Sequence, residues 1–177
     1  MMKDLIIRQE KEEDYPEIFN LIEEAFREME MADGDEHYLV DRLRKTEAYI
    51  PELSLVADLN GKLVGHILFT KIWIQDGEQK HPSLILAPVS VLPEYQRMGI
   101  GGELIQEGHR IAVEFGYQSV LVIGHEDYYP RFNYRIASNY GLKAPFEVPD
   151  QNCMVCELVE GGLEEISGVV EISELFY

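Results

Sequence analysis

One stretch, from Leu84 to Gly116, limits what this chain can fold into more than any other. It opens on an apolar run, Leu84-Ile85-Leu86-Ala87-Pro88-Val89-Ser90-Val91-Leu92, and turns through Pro93-Glu94-Tyr95. It continues as Gln96-Arg97-Met98-Gly99-Ile100-Gly101-Gly102. Ile100, Leu104, Gly108, Ile111 and Phe115 then recur at helical spacing, which predicts one helix face. Gly116 stands where a left-handed cap is expected. The order is strand, glycine-rich turn, helix. The first N–H groups of a helix lack internal partners, the helix dipole adds partial positive charge there, and glycines let a ligand approach the backbone closely. Together these predict an anion site suited to phosphate. Arg97, the only Lys or Arg between Lys80 and Arg110, adds charge. The same turn would also serve simply to seat a helix tightly on a sheet.

Two familiar phosphate loops are excluded. A P-loop ends in Gly-Lys-Ser/Thr, which is absent. The dinucleotide fingerprint needs Gly or Ala five residues after its first Gly, and from Gly99 that position is Leu104. What remains, Gln96-Arg97-Met98-Gly99-Ile100-Gly101-Gly102 after a strand carrying Val89-Ser90-Val91, resembles the acyl-coenzyme A pyrophosphate loop of the GNAT superfamily of N-acetyltransferases. Tyr128-Tyr129-Pro130-Arg131-Phe132-Asn133-Tyr134 resembles that family's Phe-Tyr-x-x-x-Gly-Phe segment. Asn133 stands where the family usually has Gly, and Asn tolerates a left-handed backbone better than most residues. Tyr134 stands where it usually has Phe. The two motifs span roughly residues 84 to 134.

Along the chain, Leu5-Ile6-Ile7-Arg8 predicts a first strand. Asp14 and Glu17 read as a capping box ahead of a helix through Ile18, Leu21, Ile22, Ala25, Phe26 and Met29. A second helix is expected over Glu36 to Lys45, with Pro51 ending the helical region. Leu53 to Asp58 and Val64 to Ile74 read as strands joined by the hairpin turn Asn60-Gly61. Strand four runs from Ser83 to Val91, and the helix after Gly99 crosses over to Ser119–Ile123, which implies parallel pairing. Pro88 cannot donate to a ladder and marks a bulge or a splay of strands four and five. In such a splay, backbone groups near Val89 and Val91 are free to bond an extended amide such as pantetheine. A short helix is expected near Tyr128 to Phe132 and a last strand near Cys153 to Val159.

At 177 residues a single domain, residues 1–177, is expected. Its fold class is α/β, a mixed and mostly antiparallel sheet flanked by helices with a splay between strands four and five. Thirty-three acidic against fifteen basic residues give a formal charge of −18, which argues against nucleic acid or an anionic membrane as partner. No apolar run is long enough to cross a bilayer, and Met1-Met2-Lys3-Asp4 carries no signal-like apolar region, so a cytoplasmic location is expected. Cys153 and Cys156 have no second Cys or His pair to complete a zinc site; ordinary reduced thiols and no metal are expected. His125-Glu126-Asp127 reads as a loop. The tail from Gly161 to Tyr177 is expected to pack on the body or on a second copy in a homodimer.

The resemblance implies acetyl-CoA as co-substrate and a primary amine, in a small molecule or a peptide, as acceptor. The amine attacks the thioester directly. Gln96, Arg97, Met98, Gly99, Ile100, Gly101 and Gly102, with Val89 and Val91, are the implied donor-binding residues. Tyr129 is the implied catalytic acid beside the sulfur, with Tyr128 as rival and an aromatic cluster as the plain alternative. No Glu lies on strand four between Leu84 and Val91; His66, His81, Glu28 and Glu126 stand unranked as general bases. The acids Glu28, Glu30, Asp33, Asp35 and Glu36 point to a cationic acceptor. A non-catalytic coenzyme A sensor or interaction module with the same fold is the competing reading.

Overall fold

A computed structural model describes residues 2–30 and 32–177. The described residues form strands β1 (Leu5–Gln9), β2 (Tyr49–Leu59), β3 (Lys62–Asp76), β4 (Gln79–Val91), β5 (Ser119–Ile123), β6 (Arg135–Ile136), β7 (Leu142–Lys143), β8 (Cys153–Glu157) and β9 (Gly168–Glu171). The helices are α1 (Tyr15–Phe26), α2 (Glu36–Leu43) and α3 (Ile100–Glu114). The sheet runs β1-β2-β3-β4-β5-β8-β6, with β9 pairing β3 and β7. β1 on β2, β3 on β9, and β8 on β5 and β6 are antiparallel, whereas β4–β5 and β7–β9 are parallel. This is the mixed, mostly antiparallel architecture expected. The chain falls into two compact units, Met1–Phe69 with Pro88–Gly108, and Thr70–Ala87 with His109–Tyr177. Among the described residues no helix is long and apolar enough to cross a membrane.

In the first unit, Asn60 (φ 52°) and Gly61 (φ 88°) both adopt the left-handed backbone that a two-residue hairpin requires. α1 buries Ile18, Leu21, Ile22 and Ala25, and α2 buries Val40 and Leu43. α3 sits on β3 because two glycines let it. A Cβ on Gly108 would lie 2.1 Å from Phe69 Cε2, and one on Gly65 would lie 3.0 Å from Leu104 Cδ1. Leu104, Ile105 and Ile100 are thereby fully buried, a gain of roughly 1.5–3 kcal/mol per side chain.

In the second unit, β5 pairs with β8 along its whole length, from Ser119↔Glu157 to Ile123↔Cys153. Its parallel ladder with β4 consists of Leu84↔Val120 and Ile85↔Leu121; it stops short of Pro88, as the splay requires. Ile72, Ile74, Ile85, Leu121, Val155 and Val170 belong to one core cluster. β9 places the tail on β3 through Trp73↔Glu171 to Gln75↔Val169.

Several local expectations fail for tertiary reasons. The box between Asp14 and Glu17 does not form. Asp14 instead accepts from the Arg8 guanidinium (2.8 Å) and from Lys11 N–H (2.8 Å), while Glu17 accepts from Leu63 N–H (3.0 Å). Met29 lies beyond the end of α1, and Phe115 lies beyond the end of α3; they are 49% and 50% exposed. α2 ends at Leu43, and Pro51 sits inside β2. The turn at Tyr128–Phe132 is a 3-10 helix over Tyr129–Phe132, and β8 ends at Glu157 rather than Val159.

Candidate active site

The glycine-rich turn from Gln96 to Gly102 lies wholly in the first unit. Leu92 N–H donates to Val64 O (2.9 Å), and a 3-10 turn over Pro93–Tyr95 follows. Gln96 is extended, and its side-chain amide donates to Val91 O at 3.1 Å, tying the turn to the end of β4. Arg97 (φ 65°) and Gly99 (φ 85°) are both left-handed. For Arg97 that conformation stores strain on the order of 1–3 kcal/mol, of the kind that gathers at ligand sites. Backbone pairing ends with Gln96 N–H to Pro93 O and resumes with Glu103 N–H to Gly99 O. Among the described residues, the N–H groups from Arg97 to Gly102 find no carbonyl between these two bonds. Gln96, Arg97, Met98 and Gly99 are exposed, whereas the Ile100 side chain is core, so Ile100 can offer only its backbone. Val89 and Val91 are half-buried on either side of the buried Ser90.

The turn is therefore a row of free N–H donors at the positive end of a fifteen-residue helix, with a guanidinium beside it. A diphosphate fits that donor set.

Tyr129 stands in the second unit. Gly124 makes room for it, since a Cβ there would lie 2.5 Å from Tyr129 Cε2. Its ring meets Tyr128 edge-on at 5.1 Å and Tyr134 at 5.7 Å. Asn133 takes φ 69°, the left-handed turn its position demands. Tyr129 is 9% exposed, and its hydroxyl has no hydrogen-bond partner among the described residues. Burial raises its pKa well above the usual tyrosine value, so the phenol is protonated and can donate. Tyr134, by contrast, is committed. Burial lowers the His109 pKa to about 4, so His109 is neutral near pH 7, and its Nε2 shares a hydrogen bond with the Tyr134 hydroxyl at 2.8 Å. Tyr128 is half-buried, with the Arg131 guanidinium 4.9 Å over its ring. The aromatic cluster and the catalytic reading of Tyr129 are compatible: the ring packs and the hydroxyl is unclaimed.

Of the candidate bases, Glu28 and Glu126 are exposed, and His81 lies 3.9 Å from Asp76. His66 is fully buried in a network that the sequence did not disclose. Glu10 Oε2 accepts from Arg44 (2.9 Å) and lies 3.1 Å from His66 Nε2; Glu10 Oε1 accepts from Arg44 (2.9 Å) and from Tyr49 (2.7 Å). Glu10 follows a strand whose residues alternate poorly, so nothing in its neighbourhood marked it as interior. Burial raises both cysteine pKa values, that of Cys156 to about 11, and the thiols are unpaired and protonated. Among the described residues, no group of three His, Cys, Asp or Glu is placed to hold a metal ion.

The profile of the acetyltransferase (GNAT) family matches residues 15–133. The chain belongs to the GNAT acetyltransferase family. Within this acyltransferase family it is 45% identical over 116 residues to YjhQ of Escherichia coli K12, an uncharacterized N-acetyltransferase; the match covers 64% of each chain, less than two thirds of that relative. It is 28% identical over 173 residues to YhbS of the same strain, also an uncharacterized N-acetyltransferase, covering 97% of this chain and 98% of the relative. The crystal structure of Escherichia coli YhbS in complex with CoA superposes with a TM-score of 0.88 at 27% identity over 99% of this chain and 93% of that one. A GNAT acetyltransferase from Brucella melitensis in complex with acetyl-CoA gives 0.80 at 30% identity over 98% of each.

Proposed function

We propose that this GNAT chain transfers an acetyl group from acetyl-CoA to a primary amine. The row of free backbone N–H groups from Arg97 to Gly102 carries the reading. In it, the turn binds the donor's diphosphate with Arg97 adding charge, and backbone groups of β4 at Val89 and Val91 hold the pantetheine amides. The neutral amine attacks the thioester carbon, so a C–N bond forms and the carbonyl oxygen becomes an oxyanion. Collapse breaks the C–S bond, the attacking nitrogen sheds its extra proton to solvent, and the leaving thiolate accepts a proton or a strong hydrogen bond from Tyr129, which regains from solvent any proton it gives. A phenol can donate in this way to a thiolate whose parent pKa is near 8.5. No covalent enzyme intermediate is needed, in keeping with two buried, protonated cysteines.

The acceptor proposed is cationic. Glu28, Glu30 and Asp33 are exposed acids on the connection between α1 and α2. Glu36 is less available because it already accepts from Asp33 N–H (2.8 Å) and Gly34 N–H (3.1 Å), and Asp35 lies 3.5 Å from Arg42. A thiol-release assay with acetyl-CoA against neutral, monocationic and polycationic amines tests both points. Equal turnover of neutral and cationic amines at low salt overturns the acceptor reading. No release with any amine, alongside tight coenzyme A binding, favours a sensor instead. Gly101→Glu puts bulk and negative charge into the turn. Calorimetry is expected to show coenzyme A affinity collapsing while circular dichroism stays native; unchanged affinity places the donor elsewhere.

A further inference from the structure

Two buried polar atoms of the first unit have no hydrogen-bond partner among the described residues on adjoining strands: His66 Nδ1 on β3 and Ser90 Oγ on β4. His66 is 0% exposed and Ser90 2%. The bond from Leu92 N–H to Val64 O sets the register of the two strands. Counting two residues along each antiparallel strand brings His66 opposite Ser90, on one face of the sheet. That face is the one that carries Glu10, Arg44 and Tyr49. The opposite face, at Gly65, meets α3. Buried orphan donors and acceptors are rare, and two that face each other are the mark of a site for an internal water.

The rest of the network fixes the chemistry at that site. Glu10 is ionised: the hydrogen bonds from His66 and Arg44 outweigh its burial and hold its carboxyl well below the usual range. A carboxylate 3.1 Å from His66 Nε2 requires the proton on that nitrogen, which leaves Nδ1 with a free lone pair and no partner among the described residues. Ser54 Oγ, 3.2 Å from the same Nε2, does not occupy Nδ1. Burial keeps the imidazole neutral near pH 7, ready to accept a proton. Ser90 lies between Val89 and Val91, on the stretch of backbone assigned to the donor.

We propose that His66 and Ser90 hold a water between them and that His66 takes up the acceptor amine's proton through it. This deepens the acetyl-transfer reading and rests on it. The ammonium N–H bond breaks, the proton passes through water to His66 Nδ1, and the imidazolium is stabilised by Glu10. After acetyl transfer the proton returns to solvent by the same route. His66 and Ser90 are positioning residues, since each acts through the water. The groups facing His66 are Glu10 after β1, Arg44 after α2, Tyr49 and Ser54 on β2, and Ser90 on β4. Arg44 opposes the added charge and Glu10 favours it.

The test measures kcat from pH 6 to 9.5 for the wild type, His66→Gln and Ser90→Ala. At pH 7, His66→Gln is expected to lose about tenfold or more in kcat, and Ser90→Ala less, with acetyl-CoA affinity unchanged. Both deficits should narrow toward pH 9.5, where a larger fraction of the amine is neutral without help. Wild-type turnover in both variants, or a deficit constant across pH, overturns the proposal while leaving acetyl transfer intact. Absence of turnover in the wild type with every amine overturns both. Should His66→Gln not fold, Ser90→Ala and 15N NMR of the wild type decide. The imidazole of His66 should be neutral at pH 7 with its proton on Nε2; a proton on Nδ1 refutes the proposal.

Discussion

Tyr129 combines a packed ring with an unclaimed hydroxyl, a pairing that is costly unless the hydroxyl has a ligand to meet. Tyr129→Phe keeps the ring against Tyr128 and Tyr134 and deletes only the oxygen. Its kcat should fall by about tenfold or more, with little change in coenzyme A affinity or Tm, when a true acceptor is used and chemistry limits the rate. Tyr128→Phe should do much less, because Tyr128 is partnered by Phe132 at 5.4 Å and Arg131. Near-normal turnover of Tyr129→Phe would remove the assignment. Arg97 and Asn133 carry left-handed backbones without being glycine. One lies in the proposed donor turn and the other ends the 3-10 turn that carries Tyr129.

At the scale of elements, α3 is the part on which the glycine-rich turn, the proposed donor site, depends. Its N-terminus supplies the free N–H groups, and its seat on β3 fixes where they point. That seat is set by Gly65 and Gly108 more than by the apolar stripe. Gly108→Ala would drive a methyl to 2.1 Å from Phe69 Cε2, so the ring or the helix must shift. Overpacking of this kind costs about 1–3 kcal/mol, partly offset by the better helix propensity of Ala. Urea unfolding should show a lower midpoint, and coenzyme A affinity should fall with it as the turn is displaced. Unchanged stability would mean that Phe69 has an easy alternative rotamer. The far end of α3 closes with Gly116 N–H to Val113 O and Tyr117 N–H to Ala112 O, both 3.0 Å, the paired bonds of a glycine-terminated helix.

At the scale of the whole molecule, the buried ionisable groups set the pH response. His109 has its folded pKa lowered to about 4 from 6.5, and that of His66 is also lowered. A histidine buried neutral contributes stability that is complete above its unfolded pKa. That contribution is lost as pH falls from about 6.5 toward 4, where the unfolded chain binds the extra proton. Glu10, with its pKa lowered, adds a second loss below the ordinary carboxylate range. The urea midpoint is therefore expected to fall between pH 7 and pH 5 and more steeply below, with His109→Gln flattening the first phase. A midpoint level from pH 7 to 5 would show that these histidines are not buried neutral.

What the sequence determined by itself was what neighbouring residues decide among themselves. The Asn60-Gly61 hairpin, the strand–turn–helix from Leu84 to Gly116, the Gly116 cap and the left-handed Asn133 each follow from backbone sterics within a few residues. The row of free N–H groups from Arg97 to Gly102 was legible for the same reason, since they belong to one continuous segment. Tertiary structure decided whatever needs a partner far along the chain. Asp14 and Glu17 have the spacing of a capping box, yet Arg8 on β1 and the Leu63 N–H on β3 claim them. Phe115 keeps helical phase with Leu104 but falls past the last turn. Glu10, Arg44, Tyr49 and His66 lie on four separate stretches of chain, and no local pattern marks any of them. A buried charge is tolerated only when its partners arrive together, and only the folded chain brings them to one place.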